Sequence, residues 1–155
     1  MSTETVLQAA AALLSPWTRD TLDTEPNRLD VIVAVDDLCA AITAMSDAPW
    51  GYLATITGVD LGVEAGELEA LYHFCEGAAI TTLRVRVPRD AAVIPSIFAI
   101  IPSVSFYERE LIEMFGFTVE GTPNTDRLFT PDDWPDGVYP LRKDVSFEDM
   151  QAQGQ

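Results

Sequence analysis

Two carboxylates one helical turn apart are the residues of this chain whose type and spacing could support catalysis. Glu110 and Glu113 lie in the run SFYERELIEMFGF at residues 105–117. A pair of carboxylates on one helix face could act as general acid and general base. We expect a solvated helix face instead, because no nucleophile or metal ligand accompanies them. An acidic enzyme that works alone through Glu110 and Glu113 is the alternative from a different functional class.

The thiols and the single imidazole are too few to build a metal centre. Cys39 and Cys75 are far apart, and His73 is the only histidine. Together they cannot supply the ligands of an iron–sulfur cluster or a closed zinc site. We therefore predict no catalytic, metal-binding or cofactor-binding residue in this chain. The cysteines are expected to be buried reduced thiols, and His73 an ordinary strand residue.

The charge of the chain excludes some partners. Its 155 residues carry a formal net charge of -16, whereas nucleic acids and anionic membrane surfaces require basic patches. No uninterrupted apolar run reaches the roughly 20 residues that a membrane-spanning helix needs. Most of the cations lie in the second half of the chain: Arg84, Arg86, Arg89, Arg109, Arg127, Arg142 and Lys143.

Hydrophobic periodicity and turn residues predict an α+β domain over residues 1–120, with an antiparallel or mixed β-sheet and helices packed on one face. The predicted helices are Thr3 to Leu14, a helix after Asp36, and Pro95 to Ile101. The predicted strands are Leu29 to Val35, Tyr52 to Leu61, Glu67 to Cys75 and Ile80 to Val87, the last three as an antiparallel meander. In the final strand Arg84 and Arg86 alternate with apolar residues, which predicts one buried face and one wet or partner-facing face.

A further helix should begin at Ser105 and end near Gly116. Ser105 and Glu108 have the spacing of a capping box, in which each side chain binds the backbone of the first turn. Arg109 has the spacing to pair with Glu113. The alternative is that Glu108, Arg109 and Glu110 form ion pairs with another subunit.

Residues 121–155 are predicted to form an extended C-terminal arm that belongs to the same structural unit. The arm alternates turn formers with the apolar residues Trp134, Tyr139 and Leu141, and one helical turn is expected near Pro131. Prolines lower the entropy lost when such a segment lies across a surface. Two outcomes are open: the arm grips a partner, or it folds back over its own core.

An ordered series of motifs in this chain resembles the 30-kilodalton (C) subunit family of respiratory complex I. The same family includes the corresponding small subunits of membrane-bound energy-converting nickel–iron hydrogenases. The motifs are Tyr107-Glu108-Arg109-Glu110, Met114-Phe115-Gly116, Asp126-Arg127-Leu128, Pro131-Asp132-Asp133-Trp134 and Tyr139-Pro140-Leu141-Arg142-Lys143-Asp144.

The resemblance implies a cofactor-free peripheral subunit on the cytoplasmic side of the cell membrane. It would pack against the large 49-kilodalton-type or hydrogenase-like subunit, near small iron–sulfur subunits, and reach the membrane subunits only indirectly. Iron–sulfur clusters and a nickel–iron centre, or quinone and FMN, are then expected in partner subunits. The implied partner contacts are Glu108, Arg109, Glu110, Arg127, Trp134, Tyr139, Arg142, Lys143 and Asp144.

One departure from the pattern bears on the branch of the family. Members from complex I usually carry a histidine after the glycine, whereas this chain has Thr122 after Gly121. The resemblance is therefore stronger to the hydrogenase branch. The 30-kilodalton subunit of an NADH:quinone oxidoreductase is the alternative.

Overall fold

One five-stranded mixed sheet with helices on one face forms the centre of the protein. The computed structural model describes residues 2–22 and 25–151. The strands are β1 (Thr18–Leu22), β2 (Arg28–Val33), β3 (Tyr52–Asp60), β4 (Glu67–Glu76), β5 (Ala79–Pro88), β6 (Val93–Pro95) and β7 (Thr118–Glu120). The α-helices are α1 (Thr3–Leu14), α2 (Leu38–Asp47), α3 (Ser105–Glu110) and α4 (Phe147–Gln151). Short 3₁₀ turns precede α2 and α3, and a π-helical turn, Leu111–Phe115, continues α3.

The strand order of the large sheet is β1-β2-β5-β4-β3. Strands β3, β4 and β5 form the predicted antiparallel meander, and β2 adds to β5 in parallel. These pairings confirm the predicted α+β class and mixed sheet. Strand β1, which pairs antiparallel with β2, was not predicted, because its sequence TRDTL is short, mostly polar and lacks a clear alternation.

The pairing register divides the sheet into a helix-covered face and an open face. Leu83 and Val85 of β5 lie on the covered face with their neighbours Tyr72 and Ala70 of β4, and all four are buried. The buried residues of α1 and α2 and the end of the π-helical turn join the same hydrophobic core. Arg84 alternates with them and therefore points to the open face, as predicted.

Two local predictions were wrong. Residues Pro95 to Ile101 do not form a helix: Pro95 ends strand β6, which pairs in parallel with β7, and only turns follow. The capping box is absent as well, because Val104 is the N-cap of α3 and Ser105 already has helical backbone angles. Pairing with the distant β7 determines the first conformation, and the 3₁₀ turn Pro102–Val104, which runs directly into α3, determines the second.

Candidate partner interface

Helix α3 and its π-helical turn are fixed tightly against β3. A Cβ atom at Gly58 of β3 would lie 2.5 Å from the Phe115 ring, so only glycine permits this close approach. The Tyr107 hydroxyl donates to the Ala54 carbonyl at 3.0 Å. On the same helix Phe106 is left exposed, whereas Arg109 is half-buried.

Glu108 is buried and holds the segment after β6. Its carboxylate accepts hydrogen bonds from the Ser96 hydroxyl at 2.8 and 3.0 Å and from the Ile97 backbone N–H at 2.9 Å. The residue is only 2% exposed. In the isolated chain its carboxylate therefore stabilises the domain, and its predicted contact with another subunit stays a prediction.

The arm is held to the helix by what we call the helix anchor, formed by Arg109 and Glu113. The Glu113 carboxylate accepts the backbone N–H groups of Leu128, Phe129 and Thr130 at 2.8–3.0 Å, and also the Thr130 hydroxyl. Arg109 donates to the backbone carbonyls of residues 126 and 127 at 2.9 and 2.7 Å. The predicted Arg109–Glu113 pair is thus wrong, because each side chain binds arm backbone instead.

This use of Glu113 also bears on the alternative of acid–base catalysis. Burial would raise the pKa of Glu113, but the hydrogen bonds from the Thr130 side chain and the arm backbone outweigh it and hold the pKa below its ordinary value. A carboxylate saturated by donors is poorly placed to take a proton. The side chain of its neighbour Glu110, a half-buried residue, makes no hydrogen bond within the described part of the chain. The geometry does not join the two glutamates into one reactive site.

The middle of the arm is braced by Arg127 and Trp134. The Arg127 guanidinium donates to the carbonyls of Pro131 and Trp134 at 2.8 and 2.9 Å and to Asp136 at 3.1 Å. The Trp134 indole N–H donates to the Val138 carbonyl at 2.8 Å. The expected helical turn is a single hydrogen-bonded turn, from the Trp134 N–H to the Pro131 carbonyl. These bonds give an irregular segment a fixed shape.

The far end of the arm is held by what we call the sheet anchor, formed by Asp60, Arg89 and Asp144. Arg89, 8% exposed, donates to Asp60 at 3.0 and 3.2 Å and to Asp144. Asp60 also accepts the Lys143 backbone N–H at 2.8 Å. The hydrogen bond from Arg89 is the main cause that lowers the pKa of Asp60 and of Asp144. One buried guanidinium thus joins the end of β3 to the arm.

Arg142 and Tyr139 complete this end of the arm. The Arg142 Nε donates to the Phe115 carbonyl at 2.7 Å, and its guanidinium lies 4.7 Å from the centre of the Tyr139 ring. Tyr139 packs on Gly116, where a Cβ atom would lie 2.5 Å from the ring. Gly116 has a φ of 75°, so it serves both the predicted helix end and this contact.

Large apolar side chains of the arm are exposed, as are many of its charged ones. Phe129 is 63% exposed and Leu141 is 51% exposed, and on the adjoining helix Phe106 is 62% exposed. The Arg109 guanidinium lies 5.8 Å from the centre of the Phe106 ring. We call these three exposed side chains, Phe106, Phe129 and Leu141, the exposed apolar group.

The structure therefore places most of the predicted contact residues on the arm and its anchors. Lys143 is exposed, and so is Asp144 in spite of its bond to Arg89. Sequence reasoning missed the anchoring roles of Asp60 and Arg89, which are 29 residues apart, and no local pattern signals such a pair. The arm also carries a short helix, α4, that was not predicted, and the last arm residues, 152–155, lie outside the described residues.

The remaining candidate residues are His73 and the two cysteines. His73 lies on the open face, where its Nδ1 is 3.0 Å from the Thr82 hydroxyl, and burial lowers its pKa. Cys39 and Cys75 are free and half-buried rather than fully buried. Within residues 2–22 and 25–151, no group of three or more metal-ligating side chains is close enough to hold an ion. No helix in the same residues is long and apolar enough to cross a bilayer.

The profile of a family described as the respiratory-chain NADH dehydrogenase 30 Kd subunit matches residues 31–151. The chain is 41% identical over 87 residues to the beta subunit of a membrane-bound hydrogenase of Pyrococcus furiosus, an alignment covering 55% of this chain and 50% of the relative. It is 35% identical over 108 residues to the C subunit of an NADH-quinone oxidoreductase of Dinoroseobacter shibae, covering 69% and 49%. The chain thus spans about half the length of these curated relatives.

A solved archaeal respiratory membrane complex, the membrane-bound sulfane sulfur reductase, contains a chain of the same fold. The TM-score is 0.76 at 27% sequence identity, and the match covers 93% of this chain and 85% of the other. The matched length includes the arm as well as the sheet domain, so the likeness extends to the region that carries the anchors.

Proposed function

This chain belongs to the respiratory-chain NADH dehydrogenase 30 Kd subunit family, and from that premise we propose that it is a non-catalytic subunit of a membrane-attached oxidoreductase related to complex I. It packs against a large catalytic subunit and against small iron–sulfur subunits, on the cytoplasmic side of the membrane. Electrons pass through clusters and a nickel–iron centre, or quinone and FMN, that those partners hold. The hydrogenase branch is favoured, since the beta subunit of a hydrogenase is 41% identical over the aligned region.

The observation that carries the proposal is the orientation of the arm. Its backbone is fixed by Glu113 and Asp60, while Phe129 and Leu141 are left 63% and 51% exposed. An isolated soluble chain gains nothing by holding apolar side chains in water, whereas a rigid apolar surface with a polar rim suits a protein–protein interface. The anchors lower the entropy cost of docking because the arm is ordered beforehand.

The 30-kilodalton subunit of an NADH:quinone oxidoreductase is the second candidate, and one observation favours it. The C subunit of such an enzyme, from Dinoroseobacter shibae, is 35% identical over 108 residues. This chain has the same docking role in both candidate complexes. The complexes differ in the cofactors that the partner subunits hold.

Affinity purification of the tagged chain from gently solubilised native membranes, with metal analysis, tests the proposal. Nickel and iron in a complex that evolves or consumes hydrogen would assign the hydrogenase branch. Iron without nickel, together with quinone reduction, would assign the complex I branch. A lone 17.0 kDa protein without metal would refute the subunit role.

A matched pair of variants tests the exposed apolar group within the same experiment. Phe129→Ser should reduce recovery of the complex at least about tenfold, as loss of a buried aromatic anchor does at other interfaces. Val63→Ser is the control, because Val63 is 64% exposed in the loop between β3 and β4. Equal recovery of both variants, with unchanged thermal stability, would contradict docking through this group.

A further inference from the structure

The open face of the large sheet carries a network of charges with acids beneath and arginines above. Glu69 of β4 is fully buried and accepts hydrogen bonds from Arg84 at 2.6 and 3.0 Å and from Arg86 at 3.0 Å. Arg84 also donates to the buried Asp30 at 3.2 Å. Arg28 approaches the other oxygen of Asp30 at 3.8 Å. The carboxylates of this network are therefore hidden under guanidinium groups.

The Arg86 guanidinium keeps hydrogen-bonding capacity toward solvent. The Arg86 side chain is 36% exposed, and only its Nε donates a hydrogen bond to the described residues. Its two terminal amino groups therefore have free N–H donors. Elsewhere in the network, the buried Asp30 Oδ1 accepts no hydrogen bond from any described residue. The second feature is unusual, since buried polar atoms are nearly always hydrogen-bonded.

The surroundings of the network are apolar in the middle and acidic at the margins. Ile32, Val59 and Ile80 lie on the open face and are half-buried without a covering helix. Asp20 on the edge strand and Glu67 at the start of β4 lie at the periphery of the same face. The centre of the open face thus presents cationic donors among aliphatic side chains, on a chain whose net charge is -16.

We propose that the open face is a second docking surface, occupied by a partner-subunit segment that presents carboxylates among apolar side chains. The inference rests on the proposed function and adds the chemistry of a contact apart from the arm. Arginine binds carboxylates through two parallel hydrogen bonds and is less strongly hydrated than lysine, which suits an interface that excludes water.

A second copy of this chain is a poor occupant of the same surface. In a twofold-symmetric pair the same patch lies on both sides of the interface. With the twofold axis through the centre of the patch, the partly exposed guanidinium groups of Arg28 and Arg86 would face an identical cationic centre. A carboxylate-bearing segment of a different subunit instead neutralises these charges.

Site-specific photo-crosslinking in the assembled complex tests the proposal directly. Thr57 is exposed on the open face, so a photo-crosslinking amino acid in its place should attach to a partner subunit, at a segment rich in Asp or Glu. Thr21 is the matched control, because it is an exposed strand threonine on the opposite face. Cross-linking from position 57 to another copy of the chain, or no more cross-linking than from position 21, would overturn the proposal.

A pair of arginine variants tests the charge requirement. Arg86→Gln should lower recovery of the complex at least about tenfold, the size of effect expected for truncating a buried interfacial charge. Arg19→Gln should not, although its side chain is 66% exposed and also pairs with one carboxylate. Thermal melts of both isolated variants separate a folding defect from a docking defect. Normal recovery of Arg86→Gln would overturn the role of the arginines.

The two proposals fail in different ways. If the wild-type chain recovers no partners, the subunit role itself is wrong. If the wild-type complex forms and Phe129→Ser reduces its recovery while position 57 does not cross-link to a partner, only the open-face contact is wrong.

Discussion

Glu113→Gln should release the arm from the helix without unfolding the domain. The Glu113 carboxylate accepts three backbone N–H groups, from residues 128–130, and the Thr130 hydroxyl. A glutamine keeps one acceptor oxygen and turns an N–H₂ group toward donors that need an acceptor. The local structure should lose hydrogen bonds rather than packing.

The size of the effect follows from the number of bonds. A hydrogen bond to a charged group contributes about 1.5–3 kcal/mol, and bonds that share one acceptor are not additive. With one oxygen retained and the site partly solvated, the free energy of local arm opening should fall by about 2–4 kcal/mol. The amides of residues 128–130 should therefore exchange hydrogen about 30- to 1,000-fold faster, at roughly 1.4 kcal/mol per factor of ten.

Hydrogen exchange measured by mass spectrometry or NMR checks this expectation. Glu110→Gln is the matched control, because Glu110 is on the same helix and its side chain makes no hydrogen bond to the described residues. Amides of β4 should be unaffected in both variants, since the sheet core does not depend on the arm contact. Equal exchange of residues 128–130 in the two variants would refute the helix anchor.

Three further predictions concern Gly116 and the sheet anchor. Gly116→Ala should destabilise the protein by about 2–4 kcal/mol, because left-handed backbone strain adds to the clash with Tyr139. Asp60→Asn should cost about 3–5 kcal/mol in urea unfolding, since Arg89 is left buried without its main counter-ion. Because the folded-state pKa of Asp60 is lowered, mainly by Arg89, its stabilising effect should be complete above its unfolded-state pKa and be lost as the pH falls through the folded-state pKa. Unfolding measured between about pH 5 and pH 2 should then show a steeper loss in wild type than in Asp60→Asn.

Each of these has a control or an outcome that would contradict it. Gly137→Ala has a similar φ of 76° and open space around its Cβ position, so it should cost only the strain, about 1–2 kcal/mol. A cost for Gly116→Ala no larger than this would exclude the clash. An Asp60→Asn variant as stable as wild type at neutral pH, or parallel acid profiles for the two, would refute the sheet anchor.

Local sequence patterns predicted the elements whose contacts are close in the chain. Helix α1 matches the predicted bounds, and the three-stranded meander follows from strand alternation and short turns. The family motifs fall on α3, on its π-helical turn and on the arm, and the partner contacts that they imply stay a prediction. Strand β6 could not be predicted in the same way, because its partner β7 lies more than 20 residues further along the chain.

The roles of the charged residues also depend on contacts between segments that are far apart in the chain. Charge and spacing alone predict that Glu108 caps the helix and that Arg109 pairs with Glu113. In the fold, all three side chains bind segments 11–18 residues away. A polar side chain with several possible partners binds the polar groups that lose their water on burial. Which groups these are depends on which segments become neighbours in the fold.

The sequence by itself determined the class of the protein: an acidic α+β domain of the 30 Kd subunit family, with a proline- and aromatic-rich arm. Periodicity, turn residues and motif order are properties of short stretches of chain, so they can be read without coordinates. Only the tertiary structure decided that the arm lies on its own domain through Asp60, Arg89 and Glu113, and that the arginines of β5 cover buried acids. Those arrangements depend on distances between residues up to 83 positions apart, which no local pattern encodes.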